Sequence, residues 1–265
     1  MIRRPLLFLP LLGLLRCAQA VQRQSMADPM RLGVERALVD SGLTGRLLQG
    51  YTRSTGLVVQ PVAGTSASVL AALEQGEVDV ALTDAPELET RLEKRGLAHD
   101  RQAIASGDLV LVGPATGRGR PVDPARVAGE RDIASALVRL SQAQARFLGG
   151  PEGSGAHLAE LALWREAKVS PAGPWHTPTP AGEDALSLAA AQGGYTLVER
   201  GLWLAKGRKP LALLVAGDPR MAVPVHAMRS FRVNHPAGKL FLQWMSGPHG
   251  RQIVASAPGW KAPPA

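Results

Sequence analysis

Residues 147–164, Phe-Leu-Gly-Gly-Pro-Glu-Gly-Ser-Gly-Ala-His-Leu-Ala-Glu-Leu-Ala-Leu-Trp, run from an apolar start through four glycines into helical periodicity. That order predicts a strand end, a glycine-rich turn and a helix. Gly153, Ser154 and Gly155 stand where the helix begins. Glycines let a backbone approach a ligand closely, and the first N–H groups of a helix point at it. The chemistry on offer is anion binding. The same pattern also serves as a plain connector.

Three earlier strand-to-helix turns carry polar side chains: Glu35 with Arg36, Thr65 with Ser66, and Thr83 with Asp84. In open α/β sheets the carboxyl ends of the strands form the ligand rim, so these turns are candidates for it. Arg36 is the candidate anion clamp, or a solvated arginine paired with Glu35 or Asp40. Thr65, Ser66 and Ser154 are candidate donors, or N-caps of the helices they precede. Glu35, Asp84, Glu152, Glu183 and Asp184 also fall at turns. Such acids suit an amine or a zwitterion, or complement helix dipoles.

Other chemistries find less support. The histidines (99, 157, 176, 226, 235 and 249) are scattered, with no metal spacing. Residues 152–156, Glu-Gly-Ser-Gly-Ala, hold half of a G-x-S-x-G nucleophile elbow, with the first glycine one place too close to the serine. A hydrolase built on Ser154 and His157 therefore stays only as an alternative, and neither a cofactor nor a metal is expected. Aromatics are 4% of the chain and no lysine cluster interleaves with them, which argues against nucleic acid.

The elements that must position these residues follow from pattern. Residues 1–20 have the form of a secretory signal: Arg3 and Arg4, an apolar run over 6–15, and Ala18-Gln19-Ala20 as the cleavage site. Arg16 precedes Cys17 where a lipoprotein signal has a small residue. Cleavage after Ala20 removes Arg3, Arg4, Arg16 and the only cysteine, which leaves 245 residues and lowers the net charge from +8 to +5. An exported chain without a disulfide must rely on a packed core. Strands are predicted at 30–33, 57–62, 78–82, 108–114, 195–198 and 211–215, with an extended run at 223–233. Helices are predicted at 43–55, from 66 to Gly76, from 86 to Gly96, and over 133–145, 183–192, 236–243 and 248–256. The opening β-α-β-α-β-α order predicts a parallel sheet with helical crossovers.

Several pieces, in shared order and spacing, then resemble a known family. They are Asp40-Ser41-Gly42-Leu43, the Gly64-Thr65 turn, Glu77 to Leu82 with Ala85-Pro86-Glu87, and Asp108 to Pro114. Ser154-Gly155 with His157, Leu163-Trp164, Tyr195-Thr196-Leu197 with Arg200-Gly201, and Gly217-Asp218-Pro219 complete them. Together they make residues 31–260 similar to the periplasmic tungstate-binding proteins of ABC importers. The resemblance implies a two-lobed type II periplasmic binding fold, with an oxyanion held between two α/β lobes. Lobe 1 would comprise residues 28–113 and 218–262, and lobe 2 residues 114–217. It further implies a periplasmic protein that takes up a small-molecule solute and delivers it to an ABC permease, and not an enzyme.

The ligand set departs from that family. The threonine/serine run the family has after its first strand is here Val34-Glu35-Arg36-Ala37. The family's Ser-Arg, and the threonine that follows its Ser-Gly, are replaced by Gly149, Gly150 and Ala156. Opposite them, the second lobe's turn carries Glu183 and Asp184. Hydrogen bonds to charged groups contribute about 1.5–3 kcal/mol each. Losing an arginine and several hydroxyls would cost roughly 5 kcal/mol, or three to four decades of affinity. Arg36 is the one replacement in reach, and Glu35 beside it partly cancels its field. A changed ligand is therefore expected, with a ligand-free interaction or sensor domain as the alternative.

Overall fold

The computed structural model describes residues 25–114, 123–180, 182–207 and 210–264. The expected signal sequence, Cys17 and residues 115–122 of the expected crossing loop lie outside them. The first part of the chain is β1 (Met30–Glu35), α1 (Arg36–Asp40), α2 (Leu43–Thr55), β2 (Val59–Gly64), α3 (Ser66–Gln75), β3 (Val80–Thr83) and α4 (Pro86–Lys94). Leu43, Leu47 and Tyr51 recur every four residues and are the buried stripe of α2, which stops at Gly56 in the left-handed conformation. Gly76 ends α3 in the same way. β1 pairs in parallel with β2 on one side and β3 on the other, as the alternating order requires.

A long strand, β4 (Ala98–Pro114), follows. Only its last seven residues carry a strand signal in the sequence, because Asp100, Arg101 and Gln102 break the alternation and Asp100 has positive φ. Then come α5 (Ile133–Gln142), β5 (Phe147–Pro151), α6 (Gly155–Glu166), β6 (His176–Thr179), α7 (Ala185–Gln192), β7 (Thr196–Glu199), α8 (Arg200–Lys206) and β8 (Leu211–Val215). The proline-rich stretch around Trp175 thus hides a strand. β6 lies at an edge beside β5, where Pro178 costs no ladder bond. β9 (Ala222–Ser230), α9 (Pro236–Ser246) and α10 (Pro248–Ser256) close the fold.

The main sheet runs β2-β1-β3-β9-β4-β7, with β8 also on β4. β4 pairs with β9 from Ala98 to Asp108, then with β7 and β8 from Leu109 to Pro114, so one continuous strand passes between two halves. The apolar interior divides the same way. One cluster joins Met30, Leu47, Ile104, Val225 and Phe241, and another joins Leu109, Leu137, Phe147, Trp164 and Val223. The C-terminal residues also reach the crossing. Lys261 bridges to Ser106, and buried Trp260 packs beside Gly107 and Gly201. No helix among the described residues is long and apolar enough to cross a membrane.

Candidate functional site between the lobes

Four helices begin at the carboxyl ends of strands and converge: α1 after Glu35, α3 after Thr65, α6 after Ser154 and α8 after Glu199. Their exposed N–H groups would favour an anion. A carboxylate of the chain itself is already there. Glu35 Oε2 accepts from the backbone N–H of Ser66 at 2.5 Å and, more weakly, from that of Gly155 at 3.4 Å. Ser66 Oγ donates to Asp84 Oδ1 at 2.8 Å. Across the same gap the N–H of Ala67 donates to the carbonyl of Gly153 at 2.9 Å. The helix starts of α3 and α6 are thereby drawn together.

Two glycines permit this approach. Gly153 has φ of 77°, and a Cβ on it would stand 2.9 Å from that of Ala67. A Cβ on Gly155 would lie 1.8 Å from Asp84 Oδ1, so the Asp84 carboxylate rests on the bare Cα. The glycine-rich turn is held from beneath by buried Glu160. Its Oε2 accepts from Gly150 N–H at 2.9 Å, and its Oε1 meets His176 Nε2 at 2.9 Å and Trp164 Nε1–H at 3.1 Å.

The side chains expected at the site meet different fates. Thr65 caps α3 through Ser68 N–H, and Ser154 caps α6 through His157 N–H. The imidazole of His157 accepts from Gly153 N–H at 3.2 Å rather than pairing with the Ser154 hydroxyl. Arg36 and Glu183 are exposed, yet both line a cavity of about 70 Å³ with Glu35, Ser154 and Glu199. On the other side of Gly155 a groove of about 640 Å³ runs between α4 and α6 past Asp84, with Leu88, Leu158 and Leu161 on its walls.

Glu199 was not among the sequence candidates. It is 2% exposed, and its Oε1 has no hydrogen-bond partner among the described residues; Asp84 Oδ2 has none either. The signal that marks Glu199 is a recurrence: Val-Glu-Arg stands at 34–36 and again at 198–200, each time where a strand passes into a short helix. Burial raises the pKa of all three acids. For Asp84 the charges of Glu35 and Glu199 add to burial, and its pKa lies well above the usual range. Glu199 is pushed to about 7 by burial and then by Glu35. Glu35 rises by burial, and its bonds to Ser66 hold it back. A site of this kind disfavours further negative charge and offers unpaired acceptors to a donor.

Comparison with known proteins matches this architecture. The family model described as a PBP superfamily domain covers residues 38–247. A tungstate-binding protein from Peptoclostridium acidaminophilum is 28% identical over 243 residues, covering 88% of this chain and 83% of the relative. The structure of the tungstate ABC transporter from Geobacter sulfurreducens superposes with a TM-score of 0.75 at 28% identity, over 86% of this chain and 98% of that one. A tungstate-binding protein from Desulfovibrio alaskensis gives a TM-score of 0.71 at 25% identity, over 90% and 100% of the two chains.

Proposed function

Because this chain belongs to the PBP superfamily, with the two-lobed fold of periplasmic binding proteins, we propose that it is the exported solute-binding component of an ABC importer whose ligand has departed from tungstate. One observation carries the change of ligand: the Glu35 carboxylate already takes the Ser66 and Gly155 N–H groups. Those are donors of the kind that would otherwise hold an oxyanion. A bound anion would also sit among Glu35, Asp84 and Glu199. At an effective dielectric of about 20, each ionised carboxylate some 4 Å away repels a unit charge by about 4 kcal/mol. The solute would lie between lobe 1 (28–113 and 218–262) and lobe 2 (114–217), touching Arg36, Thr65, Ser66, Gly153, Ser154 and Gly155, with Glu35, Asp84 and Glu183 around it. The lobes would close on it for delivery to a permease.

The test is thermal unfolding and calorimetry of the mature chain, residues 21–265, with tungstate, molybdate, sulfate and a panel of uncharged, cationic and zwitterionic solutes. A ligand at about 100 times its Kd adds about 2.7 kcal/mol and raises the midpoint by several degrees. The oxyanions are expected to leave the wild-type midpoint unmoved, while a polar solute raises it. Glu35→Ser, which frees both N–H groups, is expected to gain a response to molybdate. A tight tungstate response from the wild type would restore the oxyanion as ligand. The chain's own carboxylate in the helix-terminal seat equally favours a solute-free sensor or interaction domain, and silence across the whole panel would support that reading.

A further inference from the structure

We propose that the solute carries a protonated primary amine, seated in the interlobe cavity against Glu199 and the outer edge of Glu35. The inference rests on reading the cleft as the solute site and specifies what enters it. Five acids line the cavity, Glu35, Asp40, Glu183, Asp184 and Glu199, against one arginine, Arg36. Two of them are committed elsewhere. Asp40 pairs with Lys206 Nζ at 2.5 Å, and Asp184 caps α7 through Leu186 N–H and binds Ser187 Oγ. Glu35 has given Oε2 to two backbone donors. Glu183 is exposed to solvent at the rim, which leaves Glu199: it lines the cavity, is 2% exposed, and its buried Oε1 has no hydrogen-bond partner among the described residues.

A buried acceptor without a donor is costly, and an ammonium supplies three donors together with the compensating charge. A space of about 70 Å³ admits a head group of a few heavy atoms, not a bulky cation. Among the described residues no group of three or more His, Cys, Asp and Glu side chains is placed to hold a metal ion. Arg36, exposed on the same wall, suits an anionic far end of a zwitterion.

Binding should release a proton. The groups facing Glu199 are Glu35 at the end of β1, Asp84 after β3, Asp184 at the start of α7 and Arg36 on α1. Neighbouring Arg200 is tied to Asp108. Burial and the acids hold Glu199 at about 7, so an ammonium must displace its proton to buffer. Amine affinity should then climb between pH 5 and 7 and level off above about 8.

The experiment is calorimetry and thermal unfolding of the mature chain with methylammonium and glycine, against acetate and tetramethylammonium, in two buffers of different ionisation heat. Methylammonium and glycine are expected to bind, with proton release at pH 6, while acetate and tetramethylammonium do not. Glu199→Gln, which keeps the shape and removes the unpaired charge, should stay folded and lose amine affinity about a hundredfold, the order expected for one partner of a buried charge pair. Inert amines alongside a neutral or anionic solute that raises the midpoint would overturn the amine and leave the solute-binding reading standing. If no solute moves the midpoint, both readings fail. Amine binding that survives Glu199→Gln would also overturn the assignment.

Discussion

Glu35 and Glu199 occupy equivalent places, each the last residue of a strand and the first before a short helix. Burial gives Glu199 a measurable signature without any solute. Its pKa rises from 4.5 when unfolded to about 7 when folded, so the folded state tolerates the neutral acid and resists the charged one. The contribution to stability is fully present below pH 4.5 and is lost as pH rises through 7, a change on the order of 3 kcal/mol. Urea unfolding at pH 5 and pH 8 should find the wild type more stable at pH 5. Glu199→Gln should remove its own share of that difference by stabilising the protein at pH 8, while Asp84 and Glu35, which burial also raises, keep the remainder. An unchanged pH dependence in the variant would place the titrating group elsewhere. Asp132 is pulled below the usual carboxylate range by its Ser135 hydrogen bond and then by Arg220, and Asp218 by Arg220, so they titrate outside this interval. At this scale the sequence showed Glu35, Asp84 and Glu183 as acids at turns. It did not show which of them would be buried. Glu183 is exposed, while Glu199, unremarkable in the sequence apart from the repeated Val-Glu-Arg, is enclosed.

The start of α6 shows how closely two elements meet. Gly155 lies against the Asp84 carboxylate at the end of β3, with no room for a methyl group. Gly155→Ala should destabilise the protein by about 1–3 kcal/mol, the usual cost of overpacking. Combining it with Asp84→Ala, which vacates the space, should recover part of the loss, and the non-additivity measured by chemical unfolding reports the contact. Strictly additive losses would mean the two residues do not touch. The helix itself was legible, because the passage from glycines to Leu158, Leu161 and Leu163 announces both the turn and its period. Its caps were legible as well, since Ser154 and Thr65 precede helices. The strands β6 and the first half of β4 were not. Prolines and charges mask their alternation, and pairing with β5 and β9 makes them strands.

For the molecule as a whole, hydrogen bonds tie the start of α3 to the start of α6. Ala67 N–H meets the Gly153 carbonyl, and Glu35 reaches both helix starts. Hydrogen exchange should therefore find the amides of Ser66, Ala67 and Gly155 protected without ligand. Glu35→Ala should speed exchange at all three while leaving core amides such as those of β1 unchanged. Equal protection in the variant would show that the lobes close without Glu35. β4 and β9 pair along the crossing, with Lys261 bridged to Ser106 and Trp260 packed against Gly107 and Gly201.

Local periodicity and turn chemistry in the sequence determined most helices, the parallel β1–β3 core and the glycine-rich turn, because each depends on neighbours within a few residues. Shared order and spacing further along the chain pointed to the family and its two lobes. Only the tertiary structure decided that Glu35 would occupy the helix-terminal donors, that Asp84 would lie on Gly155, and that Glu199 would be sealed without a partner. Those facts concern residues 31 to 164 positions apart, such as Glu35 with Ser66 and Glu199. Burial of a charge is set by which distant elements cover it, and no local pattern encodes that.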